Sequence, residues 1–129
     1  MRWGRIVGLA FALEAALFVT LVPLQEPLAL KPWFVAVTIG CAVFGYIAGR
    51  FAAKGLTSRA ALQHGLLVGI LATIIYLALC TLGPGGLPAA VSLYGAPLYV
   101  LLNALRIVAC ATGSIRAAKG VAKTLSPQA

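Results

Sequence analysis

Four apolar runs, each long enough to cross a bilayer, take up most of this chain of 129 residues: 6–22, 33–49, 65–82 and 98–115. At 1.5 Å of rise per residue, a helix of ~18 residues reaches ~27 Å, close to the ~30 Å of hydrocarbon in a bilayer. A backbone that faces lipid must satisfy its own polar groups, which leaves helices or closed barrels. The runs lack the period-two alternation of barrel strands. Hydrophobic residues make up 62% of the chain and charged residues 9%, more apolar surface than a soluble domain of this size could hide. The expected fold class is an all-α membrane protein, with four transmembrane helices in an up-down bundle forming a single membrane domain over 1–129.

A net charge of +8 would fit nucleic acid if the basic residues shared one face with interleaved aromatics. They do not, so no nucleic-acid partner is expected. Arg2 and Arg5 precede the first run, Arg50, Lys54 and Arg59 follow the second, and Arg116, Lys119 and Lys123 follow the fourth. The other connections hold only Lys31, with Glu26 nearby. By the positive-inside rule both termini and the middle connection are cytoplasmic. The basic start and first apolar run also suit a signal peptide, but "TLVPLQEPL" offers no small-residue cleavage site, so the first segment is expected to be retained.

The chain reads as a duplication, with repeats over 4–55 and 65–120. Gly4, Val7, Gly8, Thr20, Pro23 and Pro27 align with Gly65, Val68, Gly69, Thr81, Pro84 and Pro88, and "AAKG" occurs at both 52–55 and 117–120. Two helices per repeat, an even number, make the copies parallel. Pro23, Pro32, Pro84 and Pro97 are expected at outer helix ends. Tyr94 and Tyr99 are expected as headgroup anchors there, with Trp3 and Trp33 on the inner and outer faces. Thr57 or Ser58 should cap the approach to the third segment, and 121–129 should be a disordered tail.

Lipid is as apolar as leucine, so helices in a membrane associate through small residues four apart and through polar contacts. Gly4 and Gly8 supply such a row in the first segment, Gly45 and Gly49 in the second, and Gly65 and Gly69 in the third. Cys41, Cys80 and Cys110 lie inside apolar segments without Cys-x-x-Cys spacing, and the single His64 stands at a cytoplasmic helix end. No metal and no cofactor are expected from them.

Within "GLAFALEAALFV" one carboxylate, Glu14, interrupts an apolar run, and in the last segment Arg106 does the same. Both lie near the midplane, where an unpaired charge costs ~2.5 to 3.5 kcal/mol on insertion scales. In an up-down bundle the first and last helices are neighbours, so the two are expected to pair, with Asn103 satisfying leftover hydrogen bonds. Such a pair either fixes helix register or lines a polar site for an ion, a proton or a small solute.

The stretch "FGYIAGRFAAKGLTSRAALQHGLLVGIL" resembles the junction between the second and third helices of small four-helix bacterial inner-membrane proteins, through Gly45, Gly49, Arg50, His64, Gly65 and Gly69. The resemblance implies a multi-pass protein of the bacterial cytoplasmic membrane. A glutamate at position 14 of a short four-helix chain is also similar to the small multidrug resistance exporters, where that residue binds cations and protons. This chain departs from them: the third segment has no Trp, Tyr46 is the only aromatic hydroxyl of the second, and Arg106 opposes a cation.

With no Asp, no Ser-His-acid set and no phosphate-cradling loop, the chain is expected not to be an enzyme. The expected function is a non-enzymatic membrane protein in the lipid bilayer, a homo-oligomer or an accessory subunit of a larger complex. The alternative is a small transporter or channel subunit using Glu14 and Arg106.

Overall fold

The computed structural model describes residues 1–125, with side chains through residue 120. Five helices follow in order: α1 (Trp3–Gln25), α2 (Leu30–Ala52), α3 (Ser58–Leu82), α4 (Gly86–Tyr94) and α5 (Ala96–Leu125). No strand occurs among the described residues. Four of the helices, α1, α2, α3 and α5, are long and apolar enough to cross a membrane. The expected disordered tail begins inside α5, and 126–129 lie outside the described residues.

Proline and glycine place the helix ends. Pro23 sits in the last turn of α1, Pro32 and Pro97 in the first turns of α2 and α5, and Pro84 just past α3. First-turn prolines withhold N–H groups that have no partner in any helix. Gly85 (φ 76°) and Gly95 (φ 76°) bracket α4 in the left-handed region, which a side chain rarely adopts. Thr57 occupies the cap position of α3 but makes no side-chain cap hydrogen bond.

Small residues decide how the long helices pack. A methyl group on Gly49 of α2 would overlap the Cys110 carbonyl of α5, and one on Gly113 of α5 would overlap the Tyr46 carbonyl of α2. At Gly45 a Cβ would stand 3.0 Å from Ala109 Cβ. From α3, a Cβ on Gly65 would run into Ser114, and one on Gly69 would lie 2.6 Å from Ile107 Cα. The glycines of α2 and α3 draw both helices against the same helix, α5.

That arrangement corrects one expectation. α1 also packs on α2 and α3, and its contact with α5 is marginal, so the first and last membrane helices face each other across the bundle instead of lying side by side. The reason lies in the small-residue rows. Those of α2 and α3 both receive α5, whereas Gly4 and Gly8 of α1 have nothing within 4 Å of a Cβ and face away from the bundle. α1 instead presents Ile6, Ala10, Leu13, Leu17 and Leu21 inward. Leu17 and Leu21 pack over Gly40 of α2.

The bundle is tight at one end and open at the other. In α3 every buried residue lies between Ala61 and Ala72, and none follows. Up to that point glycine and alanine let the backbones close; beyond it Tyr76, together with Trp33, Tyr94 and Tyr99, holds the elements apart. The tight end carries the basic residues. There the Arg2 amide donates to His64 Nε2 at 3.2 Å, and Arg5 Nη1 donates to the Lys54 carbonyl at 2.7 Å. His64 is 4% exposed, and its Nδ1 lies 2.8 Å from the Ala60 carbonyl. With that nitrogen donating, Nε2 is left as the acceptor. We expect His64→Ala to remove a net ~1 kcal/mol, as one hydrogen bond does, read as roughly fivefold faster amide exchange in the first turn of α1. Unchanged exchange there would mean that the contact does not hold the helix start.

Candidate functional site

Glu14 and Arg106 are 6% and 5% exposed, and Nη1 of the arginine stands 3.5 Å from Oε1 of the acid. The pair therefore forms, although its helices are not neighbours. An arginine side chain is long enough to cross the interior from α5 to α1. The guanidinium carbon also lies 4.0 Å from the centre of the Tyr76 ring of α3, a cation–π contact. Nη1 donates to Asn103 Oδ1 at 3.4 Å, a long bond, and Asn103 Nδ2 donates to the Tyr99 carbonyl one turn back at 2.9 Å. Asn103 so serves the pair as expected from the sequence, but weakly.

Above the pair, toward the open end, lies a cavity of about 330 Å³. Glu14, Asn103 and Arg106 form its polar part, and Trp33, Tyr76, Tyr94 and Tyr99 its aromatic walls. The volume falls within the ~300 to 1,000 Å³ of small-molecule sites, and so does the mixture of an apolar wall with few polar groups. The aromatic rings brace one another. Tyr94 lies 5.2 Å from Phe34 and 6.2 Å from Tyr99, and Tyr99 lies 5.9 Å from Tyr76, centre to centre. Burial pushes the Tyr94 hydroxyl above its ordinary value, so it stays a neutral phenol.

Four buried polar atoms on residues lining this cavity lack a hydrogen-bond partner among the described residues: Glu14 Oε1, Trp33 Nε1, Tyr99 Oη and Arg106 Nε. Buried polar groups in folded proteins are nearly always satisfied, and each that is not costs about 1–3 kcal/mol. Glu14 Oε1 is nonetheless ion-paired with Arg106, while Trp33 stands beside Tyr94, and Tyr99 beside Cys80 and Tyr76.

Two anchoring expectations are corrected by this arrangement. Tyr99 and Trp33, both 7% exposed, face the interior instead of the headgroups, while Trp3 is 57% exposed. Of the glycines singled out in the sequence, Gly45, Gly49, Gly65 and Gly69 come together around α5, whereas Gly4 and Gly8 do not join them. Tyr76, Cys80 and Gly113 were not legible as members of a site or an interface. The available signal was the gathering of Trp and Tyr in the half of the chain remote from the basic connections. Cys41 and Cys110 are fully buried, Cys80 lines the cavity, and no group of three or more His, Cys, Asp or Glu comes together among the described residues.

The fold and site thus define an all-helical protein with four candidate membrane spans around a buried acid–base pair and a cavity. Comparisons of the chain with protein-family models, with curated proteins and with solved structures each returned no match.

Proposed function

We propose that the chain is a non-enzymatic, multi-pass protein of the bacterial cytoplasmic membrane that holds a small molecule beside Glu14 and Arg106, as the binding element of a small transporter or channel subunit. The observation that carries this is the cavity reaching the pair, with Glu14, Asn103 and Arg106 forming its polar part. An ion pair serving only to fix register would be packed dry. The clustering of basic residues supports a cytoplasmic position for the tight end, and the cavity then belongs to the outer half of the bilayer. The close approach of α2 and α3 to α5 seals the inner half, which favours a one-sided binding pocket over a continuous pore.

Self-association is the second reading, supported by the outward-facing Gly4 and Gly8, which leave open space for another helix. Gly4 and Gly8 share a face of α1 with Phe18 and Val22, which line the cavity, so a helix docked along that face would also border the cavity.

Cysteine accessibility tests the pocket. With the native Cys41, Cys80 and Cys110 replaced by alanine, Asn103→Cys, beside the ion pair, should react with N-ethylmaleimide in membrane vesicles, because a hydrated cavity supplies the thiolate. Val108→Cys, on a face that is 59% exposed and turned to lipid, should not. If the two cysteines are equally inert, no water reaches the pair and the binding role is lost.

A further inference from the structure

From the cavity's rim and its charge we infer that the site admits an uncharged amphipathic molecule sideways from the bilayer, through a gap between α1 and α3, and reads a head group that both donates and accepts hydrogen bonds. This rests on the reading of the cavity as a binding site and specifies its ligand.

The gap follows from which lining residues are exposed. Trp33, Val37, Tyr99 and Leu102 are all buried, so the cavity is closed on the sides of α2 and α5. The strongly exposed liners are Phe18 (63%) and Val22 (43%) of α1 and Leu79 (51%) of α3. Neither helix carries a charged residue at that level, so the opening between them meets hydrocarbon, not water. A molecule already dissolved in the membrane reaches it directly, whereas an ion would have to cross lipid first.

The head group is matched to the polar side chains that line the cavity. The Trp33 indole and the Arg106 guanidinium can only donate, the Glu14 carboxylate only accepts, and the Tyr99 hydroxyl does either. A carbonyl-type acceptor answers the first two, and a hydroxyl or amide hydrogen answers the third. Net charge is excluded by the pair itself: Glu14 and Arg106 cancel, and an added buried charge would have no partner. The class is therefore a carboxamide, hydroxyl or phenolic head on an apolar body, which the aromatic walls accommodate.

The test uses the intact protein in lipid nanodiscs with Trp3→Phe, leaving Trp33 as the only indole. Four probes with the same tail, decanamide, methyl decanoate, decyl sulfate and decyltrimethylammonium, are compared at equal mole fraction in the membrane. Decanamide should shift the Trp33 emission saturably. Methyl decanoate, which has no donor for Glu14, should bind at least fivefold more weakly, and the two charged probes should give only the linear response of bulk partitioning. Tyr99→Phe removes a hydroxyl from the cavity wall and keeps the ring, so it should weaken decanamide binding severalfold in a protein that still unfolds cooperatively. Saturable binding of a charged probe as tight as that of decanamide overturns the inference about charge, with the cavity still a site. Linear responses to all four probes overturn it as well. In that case a reactive Asn103→Cys leaves the binding role standing, and an inert one removes both.

Discussion

Glu14→Gln should cost the fold about 3–5 kcal/mol, the typical result of stripping one partner from a buried ion pair. The remaining arginine keeps its charge under all accessible conditions, and at 5% exposure it stays buried. Its other neighbours include Asn103, at 3.4 Å, the Tyr76 ring and Cys41, none of which carries a compensating carboxylate. Adding Arg106→Met removes the stranded charge and should restore most of the loss. The reason is that a pair replaced as a whole by apolar groups is often neutral in effect. A double-mutant cycle on reversible unfolding in mixed micelles measures this coupling. If the two single changes simply add, the acid and the base do not meet in the folded protein.

The second large effect is at Gly49, where alanine should destabilise the bundle by about 3 kcal/mol. Helix propensity works the other way, favouring alanine by up to about 1 kcal/mol. The steric penalty must therefore exceed the net loss. The added methyl would overlap the Cys110 carbonyl, and a backbone atom cannot rotate aside, so α2 and α5 must separate along the interface that Gly45 and Gly113 also form. Overpacking of this kind typically costs 1–3 kcal/mol, sometimes more. Gly8→Leu is the matching control. Nothing lies within 4 Å of a Cβ there, so the unfolding midpoint should move by less than about 0.5 kcal/mol, while any self-association through α1 should weaken. A Gly49→Ala protein as stable as the parent would show that α2 and α5 do not approach so closely.

The two substitutions probe opposite ends of one design. Glycine and alanine close the bundle at the end with the basic residues, and bulky aromatic residues keep it open at the other. Glu14 and Arg106 sit where the two regimes meet. A polar pair at that level is held by packing below and reaches a cavity above.

Sequence alone determined the number and approximate position of the membrane-length helices, because hydropathy over ~18 residues and the helix-ending prolines are local properties, but α3 (Ser58–Leu82) and α5 (Ala96–Leu125) extend well beyond the apolar runs 65–82 and 98–115. It also picked out Glu14 and Arg106 as a pair, since two midplane charges of opposite sign leave few alternatives. Only the tertiary structure decided who neighbours whom. Helix contacts depend on which small-residue row meets which, and a glycine that faces lipid, as Gly8 does, reads the same in sequence as one that touches a backbone, as Gly49 does. The cavity was hidden for the same reason: Trp33, Tyr76, Tyr94 and Tyr99 stand on four different helices, and no spacing along the chain records that their rings converge.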